Sequence, residues 1–278
     1  MMLNWSQAAW LALGLAVAGI AIRPAGRRWL AITTAAFRET ALVLALFSIW
    51  QLAGRLALLK VQSAHGHALW VWHVERALHL PSEVTVQKWF LPSAAVIKFF
   101  NVYYATIHFP ALIAFLVWMF FRHRPHYPAV RNTVAILTAA CLLIQLIPVA
   151  PPRMFPQLGF VDTAVKYGQS VYGVAGSGFA DQLSAMPSVH VAWAVLESVF
   201  VIPISPSRWR WLVLGHTSLT ILIVTATANH WWLDGIVAAI LLVMAIGAER
   251  WSRALMTRLR TRLAATPEPA LVGAAAGE

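Results

Sequence analysis

The chain is predicted to be all-α and polytopic: a bundle of about six to seven transmembrane helices, with an interfacial helix and a long loop on the extracytoplasmic side. Composition carries the first part of that expectation. Of 278 residues, 60% are hydrophobic and only 11% charged, with a mean hydropathy of +0.68, well outside the range of a water-soluble domain. Several apolar runs approach or exceed the roughly 18 to 20 residues that a helix needs to cross hydrocarbon. None shows the alternation of a barrel strand.

Hydropathy places spans at about 5–22, 36–58, 95–121, 130–149, 188–204, 210–227 and 231–249. Pro125, Pro128, Pro203 and Pro206 fall in or beside the short connections. The first run has no basic leader, and arginines follow it, so it reads as a retained span and not as a signal peptide. Between the second and third spans, "HALWVWHVERALHL" sets Trp70, Val74 and Ala77 at helical spacing opposite Glu75, Arg76 and His79. That pattern predicts a helix lying in the membrane interface, its tryptophans at headgroup depth. Between the fourth and fifth spans, about 150–187 begins "APPRMFPQLGFVDTAVKYG" and far exceeds the median connection of about 4 to 6 residues. The implied division is 1–94 as N-terminal spans and interfacial helix, 95–250 as a helical bundle, and 251–278 as a basic segment ending in the disordered tail "TPEPALVGAAAGE".

The net charge of +11 reflects topology. Arg23, Arg27, Arg28 and Arg38, then Arg122, Arg124 and Arg131, then Arg208 and Arg210, and finally Arg250, Arg253, Arg258, Arg260 and Arg262 all fall on one face of a seven-span chain. The positive-inside rule makes that face cytoplasmic, with the C-terminus inside and the long loops outside, in a bacterial-type plasma membrane. Anionic lipid headgroups are the natural partners of such residues. Arginines scattered over span-flanking loops give no reason to expect nucleic acid. Cys141 is the single cysteine, so no intramolecular disulfide and no cysteine-rich metal site is expected.

Two motifs carry chemistry. In "SAMPSVHVAW", Pro187 suits the first turn of a helix, which would put Ser188 and His190 at the head of the fifth span beside free backbone N–H groups, a ready anion site. In "TATANHWWLDGIV", His230 and Asp234 share one helix face. A carboxylate at that spacing fixes the imidazole tautomer and leaves the other nitrogen's lone pair free, as a metal ligand, a base or a nucleophile. The chain has ten histidines, but the carboxylates near the outer face are few: Asp162, Asp181, Asp234, Glu75 and Glu83. No HExxH motif sits on a span, so neither a catalytic metal nor another cofactor is expected. His108 and His216 read as interhelical hydrogen-bonding residues, and Tyr103 and Tyr104 as packing residues.

"MPSVH" followed by "HWWLD" resembles the second and third signature motifs of the type 2 phosphatidic acid phosphatase superfamily. "APPRMF" and "TANHWWLD" resemble most the branch that includes inositol phosphorylceramide synthase, and the similarity covers about 95–249. This resemblance implies that His230 attacks phosphorus to form a phosphohistidine, that Asp234 orients it, and that His190 protonates the leaving oxygen. The departures are specific. Leu146 stands where the first motif carries lysine, Met154 where proline follows the arginine, Val189 in place of the usual glycine, and Val224 in place of an arginine before the third-motif histidine.

A phosphoryl group in flight needs its equatorial oxygens neutralised. Arg153, Lys166 and Ser188 are the candidate replacements in phosphate binding. The expected function is therefore a lipid phosphotransferase acting on a phosphorylated headgroup at the outer face. A lipid phosphate or polyprenyl diphosphate phosphatase using the same residues is the alternative, and a non-catalytic lipid-binding or transport protein is the alternative of another class. The implied partners are a membrane lipid phosphate donor and either an alcohol acceptor or water.

Overall fold

The computed structural model describes residues 3–22, 26–57, 61–169 and 183–264. Asp181, the middle of the long loop and the tail beyond 264 lie outside the described residues. The chain folds into α1 (Trp5–Ala21), α2 (Arg28–Ala57), α3 (Val61–Ala77), α4 (Glu83–Phe90), α5 (Ala94–Thr106), α6 (His108–Arg122), α7 (Tyr127–Gln145), the one-turn α8 (Thr163–Lys166), α9 (Val189–Ile204), α10 (Leu212–Ala226) and α11 (Trp232–Ala264). Among the described residues the only strand-like pairing is an isolated parallel bridge between Val149 and Ser184.

The seven expected spans coincide with α1, α2, the α5–α6 pair, α7, α9, α10 and α11. Among the described residues, four segments are by themselves long and apolar enough to cross a bilayer: Arg28–Ile49, Tyr127–Gln145, Arg208–Ala226 and Trp232–Thr261. The third expected span is two helices bent by 50°, a fifth crossing if taken together. Pro110 explains the break, because it has no N–H to offer the carbonyl of Thr106. The first and fifth expected spans are apolar helices of 17 and 16 residues, short of the full hydrocarbon thickness.

α1 and α2 pack as a hairpin. Asn4 and Gln7 close a capping box at the start of α1. Gly19 lets the two backbones approach, since a Cβ there would stand 2.8 Å from Cγ of Arg38. The Arg38 Nε donates to the Gly19 carbonyl at 2.8 Å. Glu39 of α2 then accepts from the Tyr127 hydroxyl and from Arg131, tying the hairpin to α7.

The bundle core is formed by α6, α7, α9 and α11, with Leu112, Met119, Leu137, Leu196 and Leu242 packed around the small residues Ala192 and Ala238. Large apolar side chains such as Trp10, Leu143 and Val243 point outward, the arrangement that lipid requires and water would penalise.

A second core lies over the end of the bundle where α9 and α11 begin. Ala64, Ala68 and Val71 of α3 meet Phe155, Phe160, Leu183, Ala185 and Trp231 there. This layer corrects the expected interfacial helix in one respect. The stretch 67–80 forms the end of α3 and the turn at His79 that leads to α4, but the expected polar face is not all solvated. Glu75 is fully buried, in line with Ala64, Ala68 and Val71, while Trp70 is 65% exposed. The 3.6-residue period was legible, but the facing direction depends on what lies beneath the helix.

Candidate active site

The site forms where the long loop, the start of α9 and the start of α11 meet. Pro187 lies just outside the helix, two positions before its first residue and not in its first turn: Ser188 is the N-cap of α9, its hydroxyl accepting from the Val191 N–H at 3.3 Å, and His190 sits in the first turn. The Ser188 N–H donates to the Asp234 carbonyl at 3.1 Å, which locks the head of α9 to α11. On the other side, α10 ends at Ala226, and Ala228 adopts a left-handed conformation (φ 54°) that reverses the chain. The Val224 carbonyl accepts from Asn229 and His230, so the residue standing where the family pattern places arginine helps to fold this reversal through its backbone.

His230 is 4% exposed and held on three sides. Its Nδ1 lies 2.8 Å from the Ala185 carbonyl and 3.2 Å from Oδ2 of Asp234. A carbonyl can only accept, so the proton resides on Nδ1 and Nε2 carries the lone pair. Nε2 faces Nδ1 of His190 at 3.4 Å. Burial, reinforced by the nearby Arg153 guanidinium, pushes the His230 pKa down to about 4, against the opposing pull of the Ala185 carbonyl. Its imidazole is therefore neutral at pH 7. Asp234 is itself held, because its Oδ2 also accepts the Trp231 N–H at 2.8 Å.

Arg153 reaches the same place from the loop. Its Nη1 donates to the Asn229 side chain at 2.6 Å, its Nε lies 3.6 Å from Asp162, and its own N–H bonds to the Ala228 carbonyl at 2.9 Å. The residue before the histidine thus docks the guanidinium. Trp231 closes the layer, its indole N–H donating to the Ala150 carbonyl at 3.0 Å and its ring edge-on to Phe155 and Phe160. Lys166 stands apart: it is exposed, with its ammonium 5.6 Å from the centre of the Tyr167 ring. The structure thus brings His190, His230, Asp234, Arg153 and Ser188 together, and leaves Lys166 outside that cluster.

Several members of the cluster were not foreseen. The Ala185 carbonyl is backbone and has no signal in the sequence. Tyr104 lies against the His190 ring with centroids 4.5 Å apart, and His108 meets it edge-on at 4.7 Å. The packing and interhelical roles that the sequence suggests for them are thus exercised against the His190 ring. His216 keeps the expected interhelical role, hydrogen-bonded to the Tyr103 hydroxyl and 3.6 Å from Glu197. Asn229 is legible in the sequence only by its place beside the motif histidine. Among the described residues no group of three or more His, Cys, Asp or Glu side chains is arranged to hold a metal ion.

Comparison with known proteins gives one match. The family model described as PAP2 superfamily matches residues 69–248, which contains the whole site and well over half of the 278 residues. No curated protein and no solved structure matches the chain. A helical membrane bundle agrees with that family, whose members are generally phosphatases. The chain belongs to the PAP2 superfamily, with the phosphatase or phosphotransferase chemistry that membership suggests.

Proposed function

We propose that this protein is a membrane-embedded lipid phosphotransferase that works through a phosphohistidine at His230. The observation that carries the proposal is the double hold on Nδ1 by the Ala185 carbonyl and Asp234, which leaves the Nε2 lone pair aimed at the histidine of α9. A neutral, oriented imidazole is a competent nucleophile. His230 attacks in line, the P–O bond to the leaving group breaks, and His190 supplies the proton to the departing oxygen. The phosphohistidine then passes its group to a second alcohol: the new O–P bond forms, the N–P bond breaks, and the alcohol's proton goes to His190, which restores both histidines.

In-line attack sets a geometric condition. Attacking atoms stand about 3 to 3.5 Å apart, and a proton donor lies about 2.6 to 3.2 Å from its acceptor. Two nitrogens 3.4 Å apart leave no room for a phosphoryl group between them. Substrate must part the rings, and Arg153 is the group placed to draw the phosphate in and neutralise its oxygens. Ser188, already committed as an acceptor at the cap of α9, retains its O–H as a donor.

The resemblance of "APPRMF" and "TANHWWLD" to the inositol phosphorylceramide synthase branch is the reason to favour transfer, and the two stretches meet through Arg153 and Asn229. The site belongs on the extracytoplasmic face of a bacterial-type plasma membrane. α11 starts beside His230 and ends among Arg250, Arg253, Arg258 and Arg260, about 40 Å away along the helix, which the positive-inside rule makes cytoplasmic.

The test is to incubate purified protein with phospholipids and polyprenyl phosphates labelled in the phosphate, trap the enzyme, and identify products by mass spectrometry. Acid-labile, base-stable label on His230, absent in H230A, supports the intermediate. A new phosphodiester supports transfer, whereas free inorganic phosphate makes the enzyme a hydrolase. Lipid uptake or scrambling that survives H230A, without any label, would make it a binding or transport protein.

A further inference from the structure

Two buried acids outside the motifs face the catalytic turn. Glu75, near the end of α3, and Glu83, the first residue of α4, are both fully buried. Oε1 of Glu75 accepts the Leu233 N–H at 2.8 Å, and Oε1 of Glu83 accepts the Trp232 N–H at 3.4 Å. The Trp232 indole donates to the Pro81 carbonyl, in the turn between the two acids, at 2.8 Å. Arg76 stands over the pair, 3.3 Å from Glu83 and 3.9 Å from Glu75.

The first N–H groups of any helix lack intrahelical partners. At the start of α11 carboxyl groups take them in succession, Glu83 that of Trp232 and Glu75 that of Leu233, after Asp234 has taken the N–H of the preceding Trp231. A local serine or asparagine would cap such a helix without burying two acids, and each buried charge costs several kcal/mol unless it is paired. Placing the acids on α3 and α4 has a different effect, because it ties the outer layer directly to the turn His230–Asp234.

We infer that Glu75 and Glu83 are positioning residues for the reaction at His230, a carboxyl pair that grips the Leu233 and Trp232 amides and so holds the nucleophile and its aspartate in register. The inference rests on His230 being the nucleophile. Neither acid is placed to touch the phosphoryl group; both act through the backbone of α11. Burial first, and then the hydrogen bond and negative charge of Glu83, raise the Glu75 pKa far above the usual carboxylate range. Glu75 is accordingly the neutral partner, and the Arg76 guanidinium stands beside both carboxyl groups.

The experiment compares E75Q, E75D and E75A with wild type, purified in detergent, using phosphate-labelled phosphatidic acid as the probe. Steady-state rates are measured together with amide hydrogen exchange over residues 231–236. Glutamine supplies the same acceptor to Leu233 and a donor to Glu83, so E75Q is expected within about threefold of wild-type kcat with unchanged exchange. In E75A, kcat is expected to fall tenfold or more at near-constant KM, and exchange over 231–236 to accelerate at least tenfold while α7 stays protected. E75D, which retracts the carboxyl by one methylene, falls between them and replaces E75A if alanine prevents folding.

Wild-type kcat and exchange in E75A, or in E75D should it stand in, would overturn the inference; so would an E75Q variant as impaired as E75A. The exchange measurement needs no substrate. If wild type does not turn over phosphatidic acid, the proposed function fails for that donor while exchange still decides the role of the pair.

Discussion

Asp234→Asn separates two jobs that one carboxylate can perform for a catalytic histidine. Where a carboxylate alone fixes the imidazole tautomer, its amide variant loses about 10⁴ in kcat through the wrong tautomer. Here the Ala185 carbonyl holds Nδ1–H at 2.8 Å, closer than Asp234 at 3.2 Å, so the tautomer survives the substitution. On the proposed mechanism, D234N removes the charge that would stabilise the imidazole as it becomes cationic on bonding to phosphorus. A hydrogen bond to a charged group contributes about 1.5 to 3 kcal/mol, which is roughly 10- to 150-fold in rate.

Folding should be little affected by the same change. The amide oxygen can keep the Trp231 N–H, and the new NH₂ takes the place of Oδ1, which has no hydrogen-bond partner among the described residues. The assay is the single-turnover rate of label incorporation into His230, with the melting temperature in detergent measured alongside. A loss near 10⁴, equal to that of H230A, would show that the Ala185 carbonyl does not fix the proton. No loss at all would show that Asp234 does not act on the transition state.

Three further outcomes follow from the geometry. Arg153→Lys keeps the charge but cannot both hold Asn229 and offer a fork to phosphate, so kcat/KM should fall about 10- to 100-fold in the steady-state assay. Trp231→Phe deletes the bond to the Ala150 carbonyl and leaves a gap between Phe155 and Phe160; at about 2 to 4 kcal/mol it should lower the melting temperature measurably. Glu75 sets a pH dependence of stability. Its folded pKa, raised to about 9, lies above the unfolded value of 4.5, so its contribution is complete below about pH 4.5 and is lost as pH rises through about 9. The slope is at most about 1.4 kcal/mol per pH unit, shared with the groups that face it, Glu83, Arg76 and Asp234. Denaturation midpoints between pH 5 and 9 should decline in wild type and decline less in E75Q; parallel curves would refute the assignment.

The resting arrangement of the two histidines also bears on the cycle. His190 is flanked by Tyr104 and His108 near the bend between α5 and α6, the break that Pro110 creates. A ring supported by other rings, and not by a fixed acceptor, can turn when substrate enters. His230 cannot, because Asp234 and Ala185 pin it from two elements. One histidine is built to stay and the other to yield, which matches a nucleophile and a proton donor.

The sequence by itself determined the solvent of this protein and the order of its helices. Hydropathy is a sum over local residues, so the apolar runs and their flanking arginines were readable without knowing any contact. His230 and Asp234 were readable as a pair for a similar reason, because four residues along a helix is a local distance. The tertiary structure alone decided which groups complete the site. The Ala185 carbonyl has no side chain to announce it, Arg153 is set by a bond to Asn229 across the bundle end, and Glu75 turns inward because the amides of α11 lie beneath it. Periodicity says that a helix has two faces. Only the unpaired donors and acceptors of its neighbours determine which face turns inward, since a buried polar group must find its partner wherever the fold places one.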